Sequence, residues 1–271
     1  MTITSLPKYF HYLSSPQALE AAKMQGSTLI WPFGACEQHG PHLPLATDNI
    51  FAEKLASAVL ERLDKSLPIW MLPSQVIGFS PEHASFPGTI SLSASLVISL
   101  VLEVGEQLAS LGISRLVLFN AHGGQIGLLE TAARELRAKS PEMAVLPCFI
   151  WRGVSEINGL LPLDEKNHDL HAGMAETSLM LSMSPELVGE ERPIDGNYFA
   201  GSSKPQTPKG WSLEGDSPCA WLTKDVSISG VIGDSSKANK SLGDSIQNAL
   251  IAHWESLLGD LMASEWPVIR D

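Results

Sequence analysis

Runs of apolar residues alternate along the chain with segments whose apolar positions recur at helical spacing, a pattern that predicts an α/β sheet protein. "STLIWPFGA" (27–35) reads as a buried strand, and "NIFAEKLASAVLERL" (49–63) as a helix with apolar positions at Ile50, Leu55, Val59 and Leu63. "IWMLPSQVIG" and "GTISL" look strand-like. "SASLVISLVLEVGEQLASLG" (93–112) is a helix with a serine to cap its start and Gly112 to stop it. "SRLVLFNAHGG" then reads as a short strand ending in polar residues and glycines, "LLETAARELRAKS" as a helix, "MAVLPCFIW" as a strand and "GMAETSLMLSM" as a helix. This rhythm implies right-handed crossovers and mostly parallel pairing.

Residues 185–235 break the rhythm. They are rich in Pro, Gly and Ser ("GSSKPQTPKGW", "EGDSPCAW") and predict a long excursion with little regular structure. Tyr198, Trp211 and Trp221 within it argue for packing against something, a neighbouring subunit included. A helix from about Ser236 to Ala263 closes the chain, and the absence of internal repeats favours a single domain over residues 1–271.

Composition narrows the function. The 271 residues are 44% hydrophobic, enough for a real core, and the formal net charge is -12, which opposes binding to a polyanion. No apolar run approaches the roughly 20 residues that cross a bilayer, and "MTITSLPKYFHYLSS" lacks the basic end and apolar core of a signal sequence. The expectation is a cytoplasmic protein with neither a nucleic-acid nor a membrane partner. Cys36, Cys148 and Cys219 are scattered, without the pair spacing of a thiolate zinc site.

The chemistry concentrates in "GACEQHGPHLPLATDN" (34–49). If the first strand stays extended to His39, Glu37 and His39 point one way and Cys36 and Gln38 the other, which makes Cys36 a packing residue. Thr47 or Asp48 then caps the next helix, and Asp48 lies where open α/β folds place ligands. Alone, Asp48 reads as a cap, Glu37 as a solvated charge and His39 as a hydrogen-bonded histidine. Together, two carboxylates and an imidazole need a cation to offset repulsion and desolvation. His122 follows an apolar strand directly, either as a further ligand or as a strand cap. His171 and Glu176 are five residues apart, about 140° on a continuous helix, so a shared site requires His171 to precede the helix, with Gly173 as the break. Glu176 sits in an apolar run, where a carboxylate needs a partner.

These motifs, "GACEQHGPHLPLATD" (34–48), "SFPGTISL" (85–92), "RLVLFNAHGGQ" (115–125) and "HAGMAETSLML" (171–181), resemble those of the creatininase family along most of residues 25–190. The resemblance implies a three-layer α/β/α fold with a mostly parallel sheet, two divalent metal ions per chain (zinc, manganese or both), hydrolysis of an amide-type C–N bond and a homo-oligomer, by family a hexamer. It makes Glu37, His39, Asp48 and His122 metal ligands, with Asp48 bridging. Creatininases proper carry a carboxylate two residues after the strand-end histidine. Gly124 stands there in this chain, so Glu176 becomes the remaining ligand, as in relatives with a His-Gly-Gly motif. "DEKNHDL" before His171 also lacks the tryptophan expected to cover creatinine. The family includes formamide hydrolases acting on opened pyrimidines and a peptidase that trims a redox-cofactor precursor.

Two divalent cations against three carboxylates leave room for one bridging hydroxide as nucleophile. In this reading His171 carries the proton to the departing nitrogen of a small-molecule, non-peptide amide. Gly123 and Gly124 offer backbone N–H groups to the oxyanion, and Glu82, His83 and Trp151 form the pocket wall. A metal-stabilised, non-catalytic subunit would need the ligands but not His171.

Overall fold

The computed structural model describes residues 8–163, 169–196, 207–214 and 217–268. Strands β1 (Thr28–Phe33), β2 (Ile69–Met71), β3 (Arg115–Asn120) and β4 (Ala144–Phe149) form a parallel sheet in the order β2-β1-β3-β4. Successive side chains leave opposite faces, and here both faces are covered. Leu29, Trp31 and Phe33 of β1 join Leu116 and Leu118 of β3 in one core, while Ile30, Val117 and Phe119 join the other. Helices α1 (Ser15–Ala22), α3 (Ala94–Leu111) and α4 (Ile126–Lys139) close the first core. Helices α2 (Thr47–Arg62), α5 (Met174–Met183) and α6 (Lys240–Ala263) close the second. The molecule is therefore the expected three-layer α/β/α sandwich, and burial on both faces is why β1 and β3 read as unbroken apolar runs.

Helix α3 has the predicted ends: the Ser93 hydroxyl accepts the Leu96 N–H at 3.3 Å, and Gly112 takes a left-handed φ of 106°. Three expectations are corrected. "IWMLPSQVIG" contributes the strand Ile69–Met71 and, past Pro73, which has no N–H with which to continue a ladder, an isolated bridge from Gln75 to Phe33, and "GTISL" makes only an isolated bridge, Ile90 to Cys36. The closing helix begins at Lys240, where the Asn239 side chain accepts the Leu242 N–H at 3.0 Å, while Ser235–Lys237 form a separate 3-10 turn. By length and composition α3 is apolar enough to cross a membrane, with mean hydropathy 1.5 over 18 residues. Here Val97, Val101 and Leu108 are buried in the first core, and Gly105 lies against Leu136 of α4.

In the excursion, β5 (Ile194–Asp195) pairs antiparallel with β6 (Gly233–Asp234), and Thr223–Val226 form one helical turn. Trp221 packs edge-on to His83 at 6.3 Å between ring centroids, whereas Trp211 is exposed; Tyr198 and the loop 164–168 lie outside the described residues. Helices α5 and α6 approach so closely that a Cβ at Gly243 would overlap the Ser178 carbonyl. Gly243→Ala is accordingly expected to destabilise the fold by about 1–3 kcal/mol, read as a lower urea midpoint with unchanged metal content.

Candidate metal centre

From β1 the chain crosses to β2 on one side and then returns to place β3 on the other. β1 and β3 are thus neighbours where the winding reverses, and the crevice beyond their carboxyl ends is where such sheets take ligands. The loop after β1 carries Glu37 and His39 and leads to Asp48 at the start of α2; the loop after β3 carries His122.

Strand β1 ends at Phe33, so the alternation does not reach His39 as expected. The chain instead makes a narrow turn through Gly40 (φ 65°), with His39 bridged to Leu43 and the Glu37 N–H bonded to the Leu45 carbonyl at 3.1 Å. Glu37 and His39 still converge, but Gln38 enters the site and does not turn away. Cys36 does face elsewhere, its sulfur 3.9 Å from the Gly88 carbonyl. Asp48 is not a cap: Ala46 occupies that position, and Asp48 is the second residue of α2, where the helix dipole favours its charge.

The Asp48 carboxylate faces two sets of groups. Its Oδ2 lies 3.3 Å from His122 Nδ1, which is 3.2 Å from Glu37 Oε1. Its Oδ1 lies 3.4 Å from His39 Nε2, which is 3.9 Å from Glu176 Oε2. The outer nitrogen of each ring is fixed by a backbone carbonyl: His39 Nδ1 donates to Glu37 O at 3.2 Å and His122 Nε2 to Phe79 O at 2.9 Å. That arrangement turns the other nitrogen of each ring toward the carboxylates, as a metal-binding histidine requires. Glu37 Oε2, His39 Nε2 and Asp48 Oδ2 are buried without hydrogen-bond partners. Buried polar atoms in that state are costly, and a cation among them removes the cost, so the donor set fits divalent metal.

Without a cation, protons take its place. Burial opposes charge on His39, but Asp48, Glu176 and Glu37 outweigh it and raise its pKa to about 9. His122 is also raised, against burial, by Glu37 and Asp48. Burial moves Glu176 up to about 7, tempered by His39, and its side chain keeps 16% exposure through the cavity.

As the spacing required, His171 precedes α5, which begins at Met174 after Gly173. The break is made by Ala172, held at a left-handed φ of 53°, a strain of about 1–2 kcal/mol. Its N–H is bonded to Glu176 Oε2 at 2.6 Å, so the bend orients the carboxylate as well. His171 Nε2 donates to Gln38 O at 2.7 Å, leaving Nδ1 facing the cluster 3.9 Å from Glu37 Oε1. Burial, then His83 and His39, push its pKa well below the ordinary value, so the ring is neutral and Nδ1 can accept a proton.

A cavity of about 940 Å³ opens over the cluster, lined by Glu82, His83, Gly123, Gly124 and Trp151 among others. Gly124 has no room for a side chain, because a Cβ there would overlap the Glu82 carboxylate. Burial raises the pKa of Glu82 and lowers that of His83 to about 4. Three further residues shape the site. Asn120 accepts the His122 N–H at 3.0 Å and donates to His122 O at 2.7 Å; Gln125 Nε2 ties Asn120 Oδ1 to the Gly34 carbonyl; Gln38 contacts both His83 and His171. The sequence signal for them is their place inside the "CEQHG" and "FNAHGGQ" motifs; their burial is seen only in the fold.

Residues 11–258 match the Creatininase family, described as creatinine amidohydrolase. A mycofactocin precursor peptide peptidase of Mycobacterium tuberculosis is 35% identical over 230 residues, 83% of this chain and 81% of that protein. One from Mycobacterium ulcerans is 39% identical over 175 residues, and there the match spans 63% of this chain and 64% of that protein, just under two thirds of its length. A solved structure, "Creatininase Mn", superposes with a TM-score of 0.76 at 22% identity over 97% of this chain and all (100%) of its own, which shows a shared fold. With a profile match along nearly its whole length and the expected ligand-type residues gathered at one switch point, this chain belongs to the creatininase family.

Proposed function

We propose that this chain is a metal-dependent hydrolase of amide-type C–N bonds, holding two divalent cations, zinc or manganese. The observation that carries this reading is the Asp48 carboxylate, whose Oδ2 lies 3.3 Å from His122 Nδ1 and whose Oδ1 lies 3.4 Å from His39 Nε2. Glu37, His122 and Asp48 would hold one cation, and His39, Glu176 and Asp48 the other. Bound there, the cations supply a water that is nucleophilic at neutral pH and a Lewis acid for the carbonyl oxygen. His171 takes the proton of the attacking water on Nδ1 and returns it to the departing nitrogen.

The cavity and the relatives together favour a peptide-type amide over creatinine and over the non-peptide restriction expected from the motifs. At about 940 Å³ the cavity is near the upper end of the roughly 300–1,000 Å³ of small-molecule sites, so a small ring such as creatinine would occupy only a part of it. Trp151 and Trp221 supply apolar walls suited to a side chain. A cytoplasmic homo-oligomer remains part of this reading, by resemblance to the family.

Elemental analysis is expected to find two divalent cations per chain, and a strong chelator to abolish hydrolysis that zinc or manganese then restores. Loading the metal-free protein at pH 7 should also release more than two protons per chain, since His39, His122 and part of the Glu176 population are protonated there and must give up those protons to bind. A reconstituted protein with no bound metal and no proton release would overturn the reading.

A further inference from the structure

The ring of His83 lies beside the cluster but is held by a different part of the chain. Gln38 has its amide orientation set by Gly40, whose N–H donates to Gln38 Oε1 at 2.9 Å. Its Nε2 therefore faces Gly230 O at 3.2 Å and His83 Nδ1 at 2.8 Å, and its two hydrogens go to those two acceptors. The nearby His171 Nε2 spends its own proton on Gln38 O, so it takes neither. Gly230 is held at a φ of 90°, and a side chain there would overlap Gln38. Thr223 Oγ1 lies 2.7 Å from His83 Nδ1 and 2.9 Å from the Glu82 carbonyl, and its single hydroxyl hydrogen serves one of the two.

An Nδ1 that accepts leaves the proton of a neutral imidazole on Nε2. That nitrogen is 3.6 Å from Glu37 Oε1 and 3.8 Å from Glu82 Oε1, beyond hydrogen-bonding distance of both, and the ring lines the cavity. It is an N–H donor on the wall of the cavity beside the cluster. The Gly124 N–H is less suited to an oxyanion, because the Glu82 carboxylate fills the space over that residue.

Building on the proposed hydrolase, we propose that the neutral His83 ring donates its Nε2–H to the oxygen that becomes negative when water adds to the amide carbonyl, with Gln38 as the residue that positions this tautomer. Water adds to the carbonyl carbon, the C–N bond breaks with its electron pair going to nitrogen, and the nitrogen takes the proton that His171 removed. His83 keeps its own proton throughout. The excursion after α5 thus has a task at the site, because Thr223 and Gly230 hold the pair in place.

The test uses zinc-loaded protein labelled with ¹⁵N-histidine and methylphosphonate as a tetrahedral anion. Long-range ¹H–¹⁵N correlation should show His83 neutral with the proton on Nε2, and methylphosphonate should move that proton downfield. His83→Phe should weaken methylphosphonate binding about tenfold or more with zinc content unchanged, whereas His83→Gln, which keeps an N–H, should recover part of it. With any amide the protein hydrolyses, His83→Phe should lower kcat by about 10²- to 10³-fold with little change in KM. Gln38→Met should move part of the His83 population to the Nδ1–H form. A wild-type His83 carrying its proton on Nδ1, or methylphosphonate affinity indifferent to His83→Phe, would overturn the proposal and leave the hydrolase reading standing. Absence of bound metal or of any amide hydrolysis would overturn the hydrolase reading itself, whatever the tautomer.

Discussion

Replacing Asp48 with alanine is expected to reduce bound metal from two cations per chain to less than about one and to bring turnover down to that of the chelated wild type. The reason is geometric. Asp48 presents one carboxylate oxygen to His122 and the other to His39, so its removal takes a ligand and a negative charge from both positions at once. Glu37→Ala or Glu176→Ala removes a ligand from one position and should spare more of the second metal. Because Ala46 and not Asp48 is the helix cap, the start of α2 should survive, and circular dichroism should show unchanged helix content. Elemental analysis after gel filtration decides the matter. Retention of both metals by Asp48→Ala alongside their loss from Glu37→Ala would show that the bridging assignment is wrong.

His171→Ala should give the opposite pattern: full metal content and a loss of about 10²- to 10⁴-fold in turnover, the range for a lost general acid or base. Its Nδ1 faces the cluster at 3.9 Å from Glu37, while its Nε2 is committed to the Gln38 carbonyl. The wild-type ring is neutral because burial, His83 and His39 lower its pKa, so it can accept a proton through the neutral range and loses that capacity only as pH falls through the lowered value. The acid limb of the wild-type rate profile should therefore disappear in His171→Ala. A variant that sheds a metal would make His171 a ligand. One that keeps both metals and full turnover would assign proton transfer to another residue. Glu176→Ala provides the contrast, since it should lose metal together with rate.

Much of the architecture was legible from local pattern. The apolar runs of β1 and β3, the capped length of α3 and the break before α5 are each decided by residues close in sequence, where propensity, capping and period act over a few turns. The motif carrying Glu37, His39 and Asp48 was likewise readable, because a short loop between a strand and a helix has few ways to dispose its side chains. What the local pattern could not decide was anything that depends on the far side of a loop. The local preference for Asp and Thr at helix starts puts the cap at Thr47 or Asp48, whereas Ala46 holds it and Asp48 faces His39 and His122, which come from two separate loops. Strand alternation continued past Phe33 would turn Gln38 away, but the strand ends there and hydrogen bonds to Gly40, Gly230 and His83 hold it inward. Glu82 filling the space over Gly124, and Thr223 and Gly230 supporting the His83 pair, join residues far apart along the chain. Such contacts carry no periodic signal. They exist only once the two cores have packed and brought the loop ends together, so the local sequence determined the elements and the principal ligand-type residues, and tertiary packing alone decided how those residues are oriented and what holds them.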